Sequence, residues 1–145
     1  MSQDARAFNW DSIPVVMKLG TDPAAATECA DVVPAGKRWL LMAMSFKIVC
    51  DANVANRSPS VYIDDAGGTP RYIYARTFGN ITAGQTANLQ LCPGLTVETT
   101  AGVLEFLNLP TLELPAGTRI RTSTSLIQAG DNYAAPVFYV REAPL

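Results

Sequence analysis

The sequence of 145 residues contains no histidine, which removes the commonest general base, the usual activator of serine and cysteine nucleophiles and the most frequent zinc ligand. Ser-His and Cys-His catalysis are excluded. Charge is scarce too: 17% of residues are Asp, Glu, Lys or Arg, against about a quarter in an average globular chain. With a formal net charge of -2 and no clustered basic stretch, direct nucleic-acid binding is not expected. The three cysteines, Cys29, Cys50 and Cys92, have neither the even count of a disulfide scaffold nor a C-x-x-C pair, and read as buried free thiols suited to a reducing cytoplasm. No glycine loop is followed by Lys and Ser/Thr, since Gly67-Gly68-Thr69-Pro70 lacks the lysine and the helix, so nucleotide binding has no support. The first eleven residues carry Asp4, Arg6 and Asp11 and no apolar run, so neither a secretory signal nor a membrane anchor is expected there.

What the chain does have is apolar residues, 48% of the total, punctuated by glycine and proline. That length supports one domain with its own core, read as an arm over 1–12, a body over 13–141 and a tail over 142–145. The dipeptide Ala-Gly recurs beside strand-like runs at Ala35, Ala66, Ala83, Ala101, Ala116 and Ala129. Two of these occurrences lie in near-copies, Val33-Pro34-Ala35-Gly36-Lys37-Arg38-Trp39 and Leu114-Pro115-Ala116-Gly117-Thr118-Arg119-Ile120. Proline at position i+1 and glycine at i+3 of a β-turn would reverse the chain at each and launch a strand.

Between turns the period is two. Ala87, Leu89 and Leu91 are expected to face inward from a strand over Thr86–Cys92, and Ile120, Thr122, Thr124 and Leu126 from one over Thr118–Ile127. Further strands are expected over 14–19, 29–33, 39–50, 60–64, 71–78, 96–98, 103–109 and 136–141. No stretch offers a capped amphipathic helix; Pro23–Cys29 is too short to be more than a loop or a single turn. The fold class is therefore all-β, an antiparallel β-sandwich of about eight to ten strands, with a jelly-roll topology preferred over an immunoglobulin-like one.

Sites of chemistry are few. Asp64 and Asp65 precede a glycine turn and read as a hairpin cap rather than a calcium site, and Glu98, Glu105 and Glu113 read as a solvated face rather than a glycosidase pair. No catalytic residue, metal or cofactor is assigned, and the chain is read as no enzyme. Surfaces carry the remaining candidates. Alternation over 71–78 puts Tyr72, Tyr74, Arg76 and Phe78 on one face, as either a contact stripe or an aromatic core strand. Over Trp39–Cys50, strict alternation puts Leu40, Met42, Met44 and Phe46 on one side and Trp39, Leu41 and Ala43 on the other. Two apolar faces call for two covers, the second from another loop or from a neighbouring subunit, which makes Trp39 and Leu41 interface candidates in a homo-oligomer, a trimer favoured. Phe8 and Trp10 in the arm are candidates for docking on a neighbour.

The string Val33-Pro34-Ala35-Gly36-Lys37-Arg38-Trp39-Leu40-Leu41, a strand, and then Ala52-Asn53-Val54-Ala55-Asn56-Arg57 resembles small virion proteins of tailed bacteriophages, over roughly residues 32 to 65. It is similar to jelly-roll capsid decoration, or cement, proteins. The resemblance implies a trimer on the capsid surface, a major capsid protein or other virion protein as partner, a location in the virion after assembly in the host cytoplasm, and a clamping role without catalysis. Two alternatives stay open: a neck, tail or fibre-base protein, and a host-glycan-binding module using Tyr62, Tyr72, Tyr74 and Tyr133.

Overall fold

A computed structural model describes residues 8–76, 79–96, 98–100 and 104–145, with the side chains of 70–74 and 98–100 outside the description. The expectations for 1–7, Phe78, Val97 and 101–103, and for the side chains of Tyr72 and Tyr74, lie outside it. The described chain forms one 3-10 turn (Trp10–Ser12) and twelve strands, more than the eight to ten expected. The strands are β1 (Val16–Leu19), β2 (Ala30–Val32), β3 (Lys37–Val49), β4 (Ser58–Asp64), β5 (Pro70–Arg76), β6 (Thr86–Cys92), β7 (Glu98–Thr100), β8 (Leu104–Asn108), β9 (Leu112–Leu114), β10 (Arg119–Ser125), β11 (Asn132–Tyr133) and β12 (Val137–Pro144).

They lie in two sheets, β1-β12-β3-β6-β8-β7, with β9 and β11 also paired to β3, and β2-β10-β4-β5. Setting β7, β8, β9 and β11 aside as additions, the pairs nest: β4 with β5 innermost, then β3 with β6, β2 with β10, and β1 with β12 outermost. One long hairpin wrapped so that alternate pairs fall in opposite sheets is a jelly roll. The expected topology is therefore present. The two strands absent from the expectation, β9 and β11, are only three and two residues long, too short for periodicity to register.

The near-copy turns lie side by side. Val33 N donates to Thr118 O and Gly117 N to Val33 O, while within each turn Lys37 N bonds Pro34 O and Thr118 N bonds Pro115 O. Proline thus stands at position i and glycine at i+2, not at i+1 and i+3. Gly36 and Gly117 have φ of +71° and +83°, the left-handed conformation that a type II turn requires there.

Ala87, Leu89 and Leu91 are buried as alternation demands, as are Ile120, Thr122 and Thr124. Leu126 is not: β10 ends at Ser125, and Leu126 turns outward at φ +59°. Each fully buried leucine or isoleucine here contributes about 2 kcal/mol of transfer free energy. In β3 the alternation breaks. Tyr139 pairs with Ala43, but Val140 pairs with Leu41, so Met42 is an extra residue and forms a β-bulge. The bulge shifts the phase of the strand by one residue. Trp39 and Leu41 before it, and Met44, Phe46 and Ile48 after it, all enter the core. The two apolar faces of the sequence are one inner face in the fold, and Trp39 and Leu41 are core residues, not interface residues. Trp39 packs 6.0 Å from Phe138 between ring centroids, and its Nε1 donates to Glu142 Oε2 at 2.7 Å, which satisfies the one polar atom of a buried indole.

Two further expectations change. Residues 142–144, expected in a tail, complete β12 and pair with Lys37–Trp39. Glu105, expected on a solvated face, is buried, and its Oε1 accepts a hydrogen bond from Gly79 N.

Candidate functional site

Among the described residues no three His, Cys, Asp or Glu side chains stand close enough to hold a metal ion. The features that distinguish this molecule lie on its outer surfaces: an apolar edge, a pinned loop and a polar groove.

The edge belongs to β1, which among the described residues ends the larger sheet and pairs with β12 only. Its register sets Met17 opposite Tyr139 and Leu19 opposite Val137, on the outward side, because Phe138 and Val140 point into the core. Met17 is 60% and Leu19 69% exposed, with Val15, Val16 and Tyr139 also open to solvent. The one charge on the strand, Lys18, is consumed: its Nζ lies 2.6 Å from Glu142 Oε2 and above the Trp39 ring. Lys18 is also the first reason that the Glu142 carboxyl is held below the ordinary carboxylate range. Edge strands are normally protected from pairing by charges, proline or bulges. Pro14 precedes β1, but the strand itself carries no free charge.

The loop between β3 and β4 is the segment Ala52–Arg57 that carried part of the resemblance. Arg57 closes it from beneath, fully buried. Its Nε donates to Asp131 Oδ2 at 2.9 Å, Nη2 to Asp131 Oδ1 at 2.8 Å and to Asp51 Oδ1, and Nη1 to the carbonyls of Asn53 at 2.8 Å and Ala55 at 3.0 Å. All five guanidinium N–H groups are therefore used. Burial, the largest influence on Asp131, pushes its pKa up; the Arg57 guanidinium and the amides of Gln128 and Asp51 more than offset this and leave it below the usual value. The pin joins two loops 74 residues apart in sequence. It holds Val54 at the tip, 98% exposed.

The groove crosses the outer face of the smaller sheet. Cross-strand register arranges its residues in rows: Ser58 with Ser125; Arg76, Ser60 and Ser123; then Tyr74, Tyr62 and Arg121; then Asp64 with Arg119. Ser58, Ser60, Tyr62, Arg76, Ser123, Thr124 and Ser125 line an open volume of about 250 Å³. At one end buried Asp64 receives Arg119 Nε and Nη2, each at 2.9 Å, and Arg121 Nε at 2.7 Å, while the Arg121 guanidinium stacks 4.4 Å above the Tyr62 ring. Both Asp64 oxygens are thus committed, and the carboxylate caps its turn through Ala66 N, as the sequence suggested.

The hydrogen bonds from Arg119, first among the causes, lower the Asp64 pKa from 3.8 to about 2. A depressed folded-state value means that this pairing stabilises the protein fully above pH ~4 and is lost as pH falls toward ~2, with about 2 kcal/mol at stake. Urea midpoints measured from about pH 6 down to about pH 2 should fall for the parent chain, and Asp64→Asn should remove that share of the decline.

The remaining candidates are placed as follows. Phe8 and Trp10 pack edge to face at 4.9 Å. The Arg38 guanidinium lies 4.1 Å over the Phe8 ring, Trp10 Nε1 donates to Glu113 Oε2 at 3.3 Å, and Arg141 Nη1 donates to the Trp10 carbonyl. The described part of the arm therefore rests on the chain's own β3, β9 and β12. Arg76 is exposed in the groove. Tyr133 is fully buried, its hydroxyl 2.7 Å from Thr124 Oγ1, and cannot contact a glycan.

Cys29 and Cys50 are buried and all three thiols are free. Burial pushes the Cys29 pKa up to about 12 and raises that of Cys50, whereas half-buried Cys92 lines a shallow outer groove of about 160 Å³ beside Tyr139 and Gln90. Since the thiolate is the reactive species, iodoacetamide on the native chain should modify Cys92 alone, read by peptide mass spectrometry, and reach the other two only on unfolding.

The serine rows were not singled out by sequence reasoning, although the alternation of Ser58 with Ser60 and of Ser123 with Ser125 was the available signal. The Arg57 pin left no local signal. No protein-family model matches the chain, and neither does any curated protein.

Proposed function

We propose that this chain is a structural protein of a phage virion, a decoration protein that sits on the capsid surface as a homo-oligomer, a trimer being the expected form, and bridges neighbouring capsid subunits without catalysis. The observation that carries this reading is the unprotected apolar edge of β1. Val15, Met17 and Leu19 with Tyr139 form an exposed apolar strip of the kind that marks a protein contact, and the backbone of an edge strand adds directional hydrogen bonds to it. The pinned loop supports the same reading. A fully satisfied buried arginine holds Val54 rigidly in solvent, so that seating this tip on a partner costs little ordering entropy. The resemblance over residues 32 to 65 supplies the phage context.

The test is co-sedimentation of the purified chain with capsids of the phage whose genome encodes it. Saturable binding that is weakened by Val54→Asp or Leu19→Glu is the expected result. Failure of the folded parent chain to sediment with those capsids would remove the proposal.

A further inference from the structure

The groove of the smaller sheet has properties that capsid docking through β1 and Val54 does not use. Its floor is a set of hydroxyls. The Oγ atoms of Ser58, Ser60 and Ser123 make no hydrogen bond to any described residue, and Ser125 Oγ has only a long 3.4 Å contact to the Ser58 carbonyl. Ser58 and Ser60 are nevertheless mostly covered as residues, so their hydroxyls open only into the groove. A covered hydroxyl without a protein partner costs free energy unless water or a ligand bonds it.

The spacing of these groups is fixed by the sheet. Adjacent strands set neighbours about 5 Å apart, and alternate residues along one strand about 7 Å apart. Ser58, Ser60, Ser123 and Ser125 therefore form a rectangle of donors and acceptors on the scale of one sugar ring. Arg76, in the same row as Ser60 and Ser123, is exposed and has no carboxylate partner among the described residues. Arg119 and Arg121, by contrast, are committed to Asp64. Among the described residues the groove thus offers several neutral hydrogen-bonding groups and one uncommitted guanidinium. Phosphate fits this poorly, because the sheet's backbone amides are spent in the ladder and a dianion meets one free cation among the described residues. A polyol carrying one carboxylate fits it well.

We propose that this groove is a binding site for a carboxylate-bearing saccharide, a uronic or sialic acid, with the carboxylate on Arg76 and the ring hydroxyls on Ser58, Ser60 and Ser123. Tyr62, half-buried in the row next to Ser60, supplies an apolar boundary for the ring.

The experiment is an NMR titration of the isotope-labelled full chain with glucuronic acid, N-acetylneuraminic acid, glucose and inorganic phosphate. The acid sugars should shift the amides of 58–62 and 123–125 with saturation, and glucose should bind at least about tenfold more weakly, given the strength of a charged hydrogen bond. Arg76→Gln should weaken the acid sugars to the level of glucose. Ser60→Ala, which removes no bond within the protein, should weaken both about threefold. Spectra that superimpose away from the groove establish that the variants are folded. A hyaluronan tetrasaccharide binding more tightly than the single ring would place the natural ligand in a polymer; equal binding would place it at a single sugar. The proposal is overturned by the absence of saturable shifts at these amides, by equal affinity for glucose and glucuronic acid, or by phosphate reproducing the same shifts at comparable concentration.

Discussion

Arg57→Leu is expected to cost about 3 to 5 kcal/mol of folding stability, because it removes one member of a buried ion pair and strands the other. Asp131 is fully buried, and without the guanidinium its carboxylate keeps only the backbone amides of Asp51 and Gln128. For a domain with total stability in the usual range of about 5 to 15 kcal/mol, that is a large share. Asp131→Asn should also cost at least about 2 kcal/mol, since its single amide oxygen accepts from only one of those two backbone groups and its NH2 faces the other donor. Urea unfolding measures both. A fall in midpoint at constant slope is expected, together with faster proteolysis between Asp51 and Arg57. An Arg57→Leu loss below about 1 kcal/mol would mean that the loop is not held in the way described.

Deleting Met42 gives the second expectation. Removing the one extra residue brings Trp39, Leu41, Met44, Phe46 and Ile48 into a single unbroken alternation, all still facing the core. The deletion should therefore fold, with the amide dispersion of the proton NMR spectrum retained. Loss of one residue from a regular strand would instead turn half of it to the wrong face and expose core side chains worth about 2 to 5 kcal/mol each. Met42→Ala, which keeps the extra residue and trims a half-buried side chain, should lower stability by about 1 kcal/mol. If deleting Met42 collapses the amide dispersion, Met42 is not an extra residue in the strand.

The same bulge explains where sequence reasoning stopped. Strand positions and the faces of β6 and β10 were legible, because period two and turn glycines are local signals. A bulge is a property of pairing: that Met42 is extra depends on Tyr139 and Val140, about one hundred residues away. Reading β3 with unbroken alternation created a second apolar face that does not exist and made interface candidates of two core residues. The pin is non-local in the same way, since nothing near Arg57 signals Asp131. The arm was legible as aromatic, but not as resting on Arg38 and Glu113, because those contacts also join distant strands. In the groove, Arg76 and Tyr62 were marked by type. The serines were not, because a small polar residue on an outer face looks like ordinary solvated surface until the register lines up four of them.

With Trp39 and Leu41 inside the core, the case for self-association rests on β1, and it can be tested without any partner. Solution mass by light scattering on the full chain is the most direct measurement. The account predicts a homo-oligomer, a trimer in its expected form, that dissociates to single chains in Leu19→Glu while that variant keeps the parent's circular dichroism. A parent chain that remains monomeric across the accessible concentration range would contradict it.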